Sequence, residues 1–200
     1  RSKNVANIMA KNIADMCIGV LAFYAVGYAF AYGSGGGWFI GGGSWFLSGS
    51  SLFELPAATL GEDGIWASGG LSGATDFFFQ VVFAATAVTI ASGAMAGRTK
   101  FSAYLLFAAL MTAFIYPVVV HWTWGGGLIA EYINWGDAGS YSDFAGSGIV
   151  HLTGGVAAFM GAKALGPRIG KYDDEGKPRA IPGHNIVFTV IGVFILWLGW

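Results

Sequence analysis

The chain has 200 residues, of which 55% are hydrophobic and 33 are glycine, whereas only 10% carry a charged side chain. Soluble domains are about 25% charged, and glycine is more frequent in membrane helices than in soluble ones. This composition excludes an ordinary soluble domain and indicates a protein that crosses a membrane several times. The net charge of −1 provides no basic face, so no nucleic-acid partner is expected.

Five apolar segments predict membrane-spanning helices, because about 20 such residues cross a bilayer. They cover about residues 13–32, 77–97, 101–122, 144–162 and 186–200. Asp15 falls in the first turn of the first segment, where a carboxylate suits the helix dipole. Pro117 lies inside the third segment and should kink it or mark its last turns. We therefore expect an all-α, polytopic transmembrane helical bundle, and a sequence that is a fragment whose last span is incomplete.

All ten lysine and arginine residues lie on one side of these predicted spans. They precede the first span or fall between the second and third and between the fourth and fifth. The loops 33–75 and 125–142 contain none. Because positively charged loops remain in the cytoplasm, we expect those two loops on the outer face.

The fourth span carries two ionisable residues near its outer end. Asp143 stands at the start, and His151 follows eight residues later, about 12 Å deeper if the helix is continuous. An ionisable side chain at that depth is costly unless it faces protein or a water-filled path, so function is the default interpretation. The imidazole of His151 can accept or pass a proton near neutral pH. The alternative is a histidine packed against a neighbouring helix and satisfied by a hydrogen bond.

Aromatic residues collect at the same outer mouth, which is formed by the outer ends of the second, third and fourth spans. Four phenylalanines, including Phe83, begin the second span, and two tryptophans, including Trp124, end the third. Aromatic faces attract cations, and a nearby carboxylate such as Asp143 raises the local cation concentration. The same residues are typical of an interfacial aromatic belt, so the residue types leave both interpretations open.

The sequence shows no nucleophile paired with a base and no cofactor motif. Its three histidines, His121, His151 and His184, are scattered on two sides of the membrane, which does not make a metal site. An enzyme, a cofactor and a bound metal are therefore not expected.

Several motifs are distributed along the whole chain, and the most specific is DFAGSGIVH at residues 143–151. Others are RTKFSAY at 98–104, YPVV at 116–119, HWTW at 121–124 and LWLGW at 196–200. With these motifs the sequence resembles the ammonium transporters of the Amt/Mep/Rh superfamily, particularly the plant-type branch. One departure is Gly97, because the family usually has an acidic residue at that position.

The resemblance implies a homotrimer in which each subunit has eleven spans and its own pore. The five predicted segments would then be the second to the sixth spans, the last of them incomplete. By position, Phe83 matches the outer gate phenylalanine, Trp124 the tryptophan of the outer ammonium site, and Asp143 the aspartate that supports this site without touching the ion. His151 matches the first of two pore histidines, and Leu196 and Trp200 match pore-wall positions.

The function implied by the resemblance is ammonium transport across a lipid bilayer, with the plasma membrane as the expected location. Ammonium would be recruited at the outer aromatic site and deprotonated, and the nitrogen would cross an apolar, histidine-lined pore as ammonia. Two alternatives use the same fold. One is an ammonium sensor, and the other is an Rh-type channel for ammonia or carbon dioxide, against which the aromatic site with Trp124 argues.

Overall fold

A computed structural model describes residues 4–48, 72–133 and 141–199. In these ranges the chain is helical and forms no β-strand. The helices are α1 (Val5–Tyr32), α2 (Gly73–Met95), α3 (101–123), α4 (Leu128–Tyr132), α5 (Ser147–Leu165) and α6 (Ile186–Gly199). Helices α1, α2 and α5 and the segment Phe101–Glu131 are each long and apolar enough to cross a membrane, and α6 is a shorter apolar helix. The predicted all-α membrane fold is confirmed.

Helix α1 begins earlier than the predicted residue 13 and buries two charged side chains. Lys11 and Asp15 are each 1% exposed. The Asp15 carboxylate accepts hydrogen bonds from the hydroxyls of Tyr104 and Thr89. The Lys11 ammonium donates to the carbonyl of Thr99 and lies 5.1 Å from the centre of the Tyr104 ring. Because α1 begins at Val5, Asp15 lies inside the helix rather than in its first turn. Its carboxylate can be buried there because neighbouring helices supply its polar partners.

The core is built around α2, which packs against α1, α3 and α5. Its buried residues include Ala84, Val88, Ala91 and Met95. A spacing of three or four residues places these side chains on one face of the helix. Three of the four are fully buried, and the two alanines allow close approach of the neighbouring helices.

Gly154 lies where α5 crosses α2. A Cβ atom at this position would stand 2.8 Å from the carbonyl oxygen of Ala87 and 2.9 Å from the Cβ of Ile90. The adjacent Gly155 faces open space, since a Cβ there would meet nothing within 4 Å. Of these two glycines, only Gly154 permits the helices to approach.

We expect Gly154→Ala to lower the free energy of unfolding of the full-length protein by about 1–3 kcal/mol, since the added methyl group must push α5 away from the α2 backbone. Gly155→Ala is the matched control and should leave stability within about 0.5 kcal/mol of wild type. Thermal unfolding of the purified protein in detergent measures both. Equal melting temperatures for the two variants would contradict this account of the crossing.

Within the described ranges, three helices contain a π-helical turn, at Phe23–Gly27 in α1, Met111–Ile115 in α3 and Ser147–Leu152 in α5. The turns of α1 and α3 are in contact, and a Cβ at Gly27 would lie 2.4 Å from the carbonyl oxygen of Thr112. The α3 turn comes just before Pro117, which has no N–H to donate. The wider turn accommodates this loss, so the irregularity expected from Pro117 is a π turn within a continuing helix.

His121 links the end of α3 to the chain that follows α1. It is 5% exposed. Its Nδ1 lies 2.9 Å from the carbonyl oxygen of Ala31, and its Nε2 lies 2.8 Å from that of Gly37. The imidazole thereby fixes the end of α3, three residues before Trp124.

Candidate functional site

The loop before α5 folds around the carboxylate of Asp143. Its Oδ1 accepts the backbone N–H groups of Gly146 at 2.8 Å and Ser147 at 3.0 Å, and its Oδ2 accepts those of Gly148 at 2.9 Å and Ile149 at 2.8 Å. The first four N–H groups of a helix have no partner inside the helix. Here a single carboxylate satisfies four consecutive N–H groups and lies at the positive end of the helix dipole.

Asp143 also holds the indole of Trp124. The indole Nε1 donates to the main-chain oxygen of Asp143 at 2.6 Å. Asp143 itself is only 9% exposed. Its carboxylate is therefore directed to the helix end, while its carbonyl fixes the orientation of an aromatic ring.

The rings of Trp124 and Phe83 meet edge to face, with their centres 6.0 Å apart and their planes at 70°. Phe79 packs against Phe83 at 5.0 Å. These three residues, with Gln80 and Phe144, line a cavity of about 210 Å³, which we call the outer cavity. A water molecule takes about 30 Å³ in the liquid, so a small cation fits. Such a cation would meet mainly aromatic walls.

The other aromatic residues of the outer mouth have different roles. Phe77 points inward and packs against Phe23 and Tyr28. Phe78 is 72% exposed. Trp122 donates its indole N–H to a loop carbonyl of Phe39 at 2.9 Å. The structure thus separates the aromatic cluster into cavity-lining residues, packing residues and surface residues.

His151 lies in the π turn that opens α5, and its side chain is exposed in this chain. Its backbone N–H and that of Val150 both donate to the carbonyl of Gly146, at 3.0 and 2.8 Å. The helix begins at Ser147, so the assumption of a continuous helix from Asp143 is wrong. The intervening residues form the capping loop instead.

The predicted site residues are only partly brought together. Phe83, Trp124 and Asp143 are in contact through the two interactions described above. Leu196 lies on α6, where it is 61% exposed and where none of the described residues is buried. Trp200 lies outside the described residues.

Two wall residues of the outer cavity, Gln80 and Phe144, and the nearby Tyr141 were not predicted from the sequence. Gln80 stands one helical turn before Phe83, so helical spacing could have identified it. Phe79 and Phe144 were not distinguished from other aromatics. Tyr141 was missed because nothing in the spacing marks it. Its hydroxyl lies beside the carboxylate of Asp143 at the start of α5, and burial raises the pKa of this hydroxyl, with a further contribution from the charge of Asp143.

A larger space of about 640 Å³ lies elsewhere, between residues that include Asn4, Arg98 and Arg168. It contains none of the predicted site residues. One of its lining residues, Gly97, has a φ of +79°, a left-handed conformation that favours glycine after a helix end. This conformation gives a physical reason for a glycine where the resemblance led us to expect an acidic residue.

Among the residues that the structure describes, no three His, Cys, Asp or Glu side chains are placed to hold a metal ion.

Comparison with known proteins gives consistent matches along the chain. Residues 1–200 match the profile of the Ammonium Transporter Family. The chain is 47% identical over 203 residues to Ammonium transporter Amt2 of Archaeoglobus fulgidus and 39% identical over 204 residues to Ammonium transporter 1 member 1 of Arabidopsis thaliana. Both matches cover 100% of this chain but 40% and 37% of those proteins. The chain therefore spans about two fifths of the length of these relatives.

Comparison with solved structures agrees with this family match. A protein titled Sensor Amt Protein superimposes with a TM-score of 0.82 at 35% identity, covering 100% of this chain and 46% of that one. Mep2 of Candida albicans superimposes with a TM-score of 0.72 at 24% identity, covering 94% of this chain and 38% of that one, and shares the fold. Since the family profile extends over every residue, the chain belongs to the ammonium transporter family.

Proposed function

We propose that the chain forms the outer recruitment site and the first part of the pore of a transmembrane ammonium transporter. The observation that carries this proposal is the outer cavity, in which the rings of Phe83 and Trp124 meet above the capped start of α5. Family membership and homologues named as ammonium transporters support the same substrate.

The outer cavity suits a weakly hydrated cation. The negative faces of Phe83 and Trp124 attract a cation that has lost part of its water shell. The Asp143 carboxylate is occupied by backbone N–H groups, so it supports the site without trapping the ion in a tight pair. Weak attraction of this kind lets an ion arrive and also leave.

Beyond this cavity the charge must be removed, because a cation in the middle of a bilayer is costly. We propose that ammonium is deprotonated and that His151, on the helix capped by Asp143, lines the path of the neutral species. Potassium has no proton to lose and would be rejected. Leu196 and Trp200 are proposed to complete the pore wall, and the second pore histidine would lie outside this sequence.

The assembly is proposed to be a homotrimer in a lipid bilayer, with the plasma membrane as its location. The whole protein's transport activity remains part of the proposal, because the chain covers about two fifths of its relatives. An ammonium sensor is the second candidate, favoured by the similarity to the Sensor Amt Protein. Ammonium currents from the full-length protein support transport, whereas ligand binding without flux supports sensing.

Trp124→Leu tests the recruitment site. It removes the aromatic face and a cation–π attraction of about 0.5–2 kcal/mol. In the full-length protein we expect the half-saturation concentration for ammonium to rise about two- to thirtyfold, with normal amounts of protein at the cell surface. Uptake at a series of ammonium concentrations, normalised to surface protein, measures this change.

Trp122→Leu is the matched control, because Trp122 lies on the same helix end but outside the walls of the outer cavity. Its half-saturation concentration should match that of wild type. If both variants behaved as wild type, Trp124 would belong to an interfacial aromatic belt and the recruitment proposal would fail.

A further inference from the structure

Tyr141 lies two residues before Asp143, and its side chain packs against the start of α5. A Cβ atom placed on Gly148 would be 2.1 Å from the Tyr141 hydroxyl oxygen and 3.3 Å from the ring carbon Cζ. The same point would be 3.3 Å from Oδ2 of Asp143. The tyrosine hydroxyl, the carboxylate and the glycine backbone therefore meet at one place.

The hydroxyl adds one donor to a carboxylate that already accepts four backbone N–H groups. A carboxylate has about four lone-pair sites, so the hydroxyl is a fifth donor that shares an oxygen with a backbone N–H group. Burial raises the pKa of the Tyr141 hydroxyl, and a raised pKa means that the proton is retained throughout the physiological range. Tyr141 is 44% exposed, which places part of the ring on the solvent side.

We propose that Tyr141 is a positioning residue of the outer cavity. Its hydroxyl holds the Asp143 carboxylate, and the main chain of Asp143 in turn holds the Trp124 indole. Gly148 is part of the arrangement, because a side chain there would take the place of the hydroxyl. The inference rests on the proposed function, since it concerns the orientation of the ring that recruits the cation.

The first test is Tyr141→Phe, which removes the hydroxyl and keeps the ring. In the full-length protein we expect the half-saturation concentration for ammonium to rise about two- to tenfold. The maximal rate per surface molecule should remain at the wild-type value. Because the hydroxyl stays protonated, the half-saturation concentration of the variant divided by that of wild type should be the same at pH 6 and pH 8. Tyr172→Phe is the matched control, since Tyr172 is 52% exposed and lies in the loop after α5.

The second test is Gly148→Ala, whose methyl group displaces the Tyr141 hydroxyl. We expect it to raise the half-saturation concentration at least as much as Tyr141→Phe. In the Tyr141→Phe background the methyl group no longer meets the tyrosine oxygen, which is its shortest contact, so adding Gly148→Ala should produce a smaller further increase than it does alone. Such non-additivity identifies the two residues as one unit.

The outcomes separate this inference from the proposed function. If Trp124→Leu raises the half-saturation concentration but Tyr141→Phe does not, the recruitment site stands and the role of Tyr141 is overturned. If Tyr141→Phe lowers surface abundance alone, the residue is merely structural and the inference is likewise overturned. If Trp124→Leu itself behaves as wild type, the failure lies in the proposed function.

Discussion

Asp143→Ala is expected to destabilise the full-length protein by at least about 3 kcal/mol and to abolish ammonium uptake. Four consecutive backbone N–H groups would lose their acceptor. Each buried donor left without a partner costs about 1–3 kcal/mol, although water at the outer mouth would replace some of these bonds. Uptake fails because the loop that fixes the Trp124 indole loses its anchor.

Asp143→Asn separates the hydrogen bonds from the shape of the side chain. Its single amide oxygen can still accept two N–H groups, while its NH₂ group faces the other two donors. Thermal unfolding in detergent should therefore rank wild type above Asp143→Asn and Asp143→Asn above Asp143→Ala. Glu131→Ala removes an exposed carboxylate from the first turn of α4 and is the control. A melting temperature for Asp143→Ala equal to that of Glu131→Ala would show that the cap is dispensable.

His151→Ala is expected to change what crosses the membrane as well as how fast it crosses. If the imidazole relays a proton, its removal should lower ammonium transport per surface molecule by about 100-fold or more, the usual contribution of a positioned acid or base. Alternatively, the widened path conducts the intact cation, and potassium then carries current. In either case the passage of the substrate across the membrane would no longer be coupled to the deprotonation of ammonium.

Currents or uptake, measured first with ammonium and then with potassium and normalised to surface protein, distinguish relay from packing. A packing role predicts lower abundance with normal selectivity in each surviving molecule. His151→Glu keeps a titratable group and should retain some flux with an altered pH dependence. His184→Ala, in the exposed loop between α5 and α6, should leave both rate and selectivity unchanged. Wild-type selectivity per molecule in His151→Ala would remove the relay from the proposal.

The helices were predictable because apolar length and charge are local properties of the sequence. The boundary of α1 was not, because Lys11 and Asp15 resemble a polar flank until α2, α3 and the turn between them supply their partners. Likewise, the start of α5 was placed at residue 144, whereas the glycines and the carboxylate of the loop build a cap that ends at Ser147. At α1 the partners of the polar side chains are distant in sequence. At α5 they lie three to six residues from Asp143, and the capping loop brings them to its carboxylate.

The outer cavity was predictable in part. Phe83, Trp124 and Asp143 could be assigned to one end of the predicted spans, and the structure brings them into contact. Which neighbouring aromatics join them depends on the rotation of α2, and the residue types alone do not determine that angle. Tyr141 could not be found from spacing, because its contact with Gly148 depends on the path of the capping loop.

The π turn in α1 also limits how this sequence can change in length. A π turn contains one more residue than an α turn and is tolerated here because Phe23–Gly27 lies against the matching turn of α3. Deleting one residue from it would restore the α-helical repeat and rotate the remainder of α1 by about 100°. Tyr28, which now donates its hydroxyl to Asp76, would then face away from α2. Shortening this helix by a single residue should therefore be more harmful than most substitutions within it.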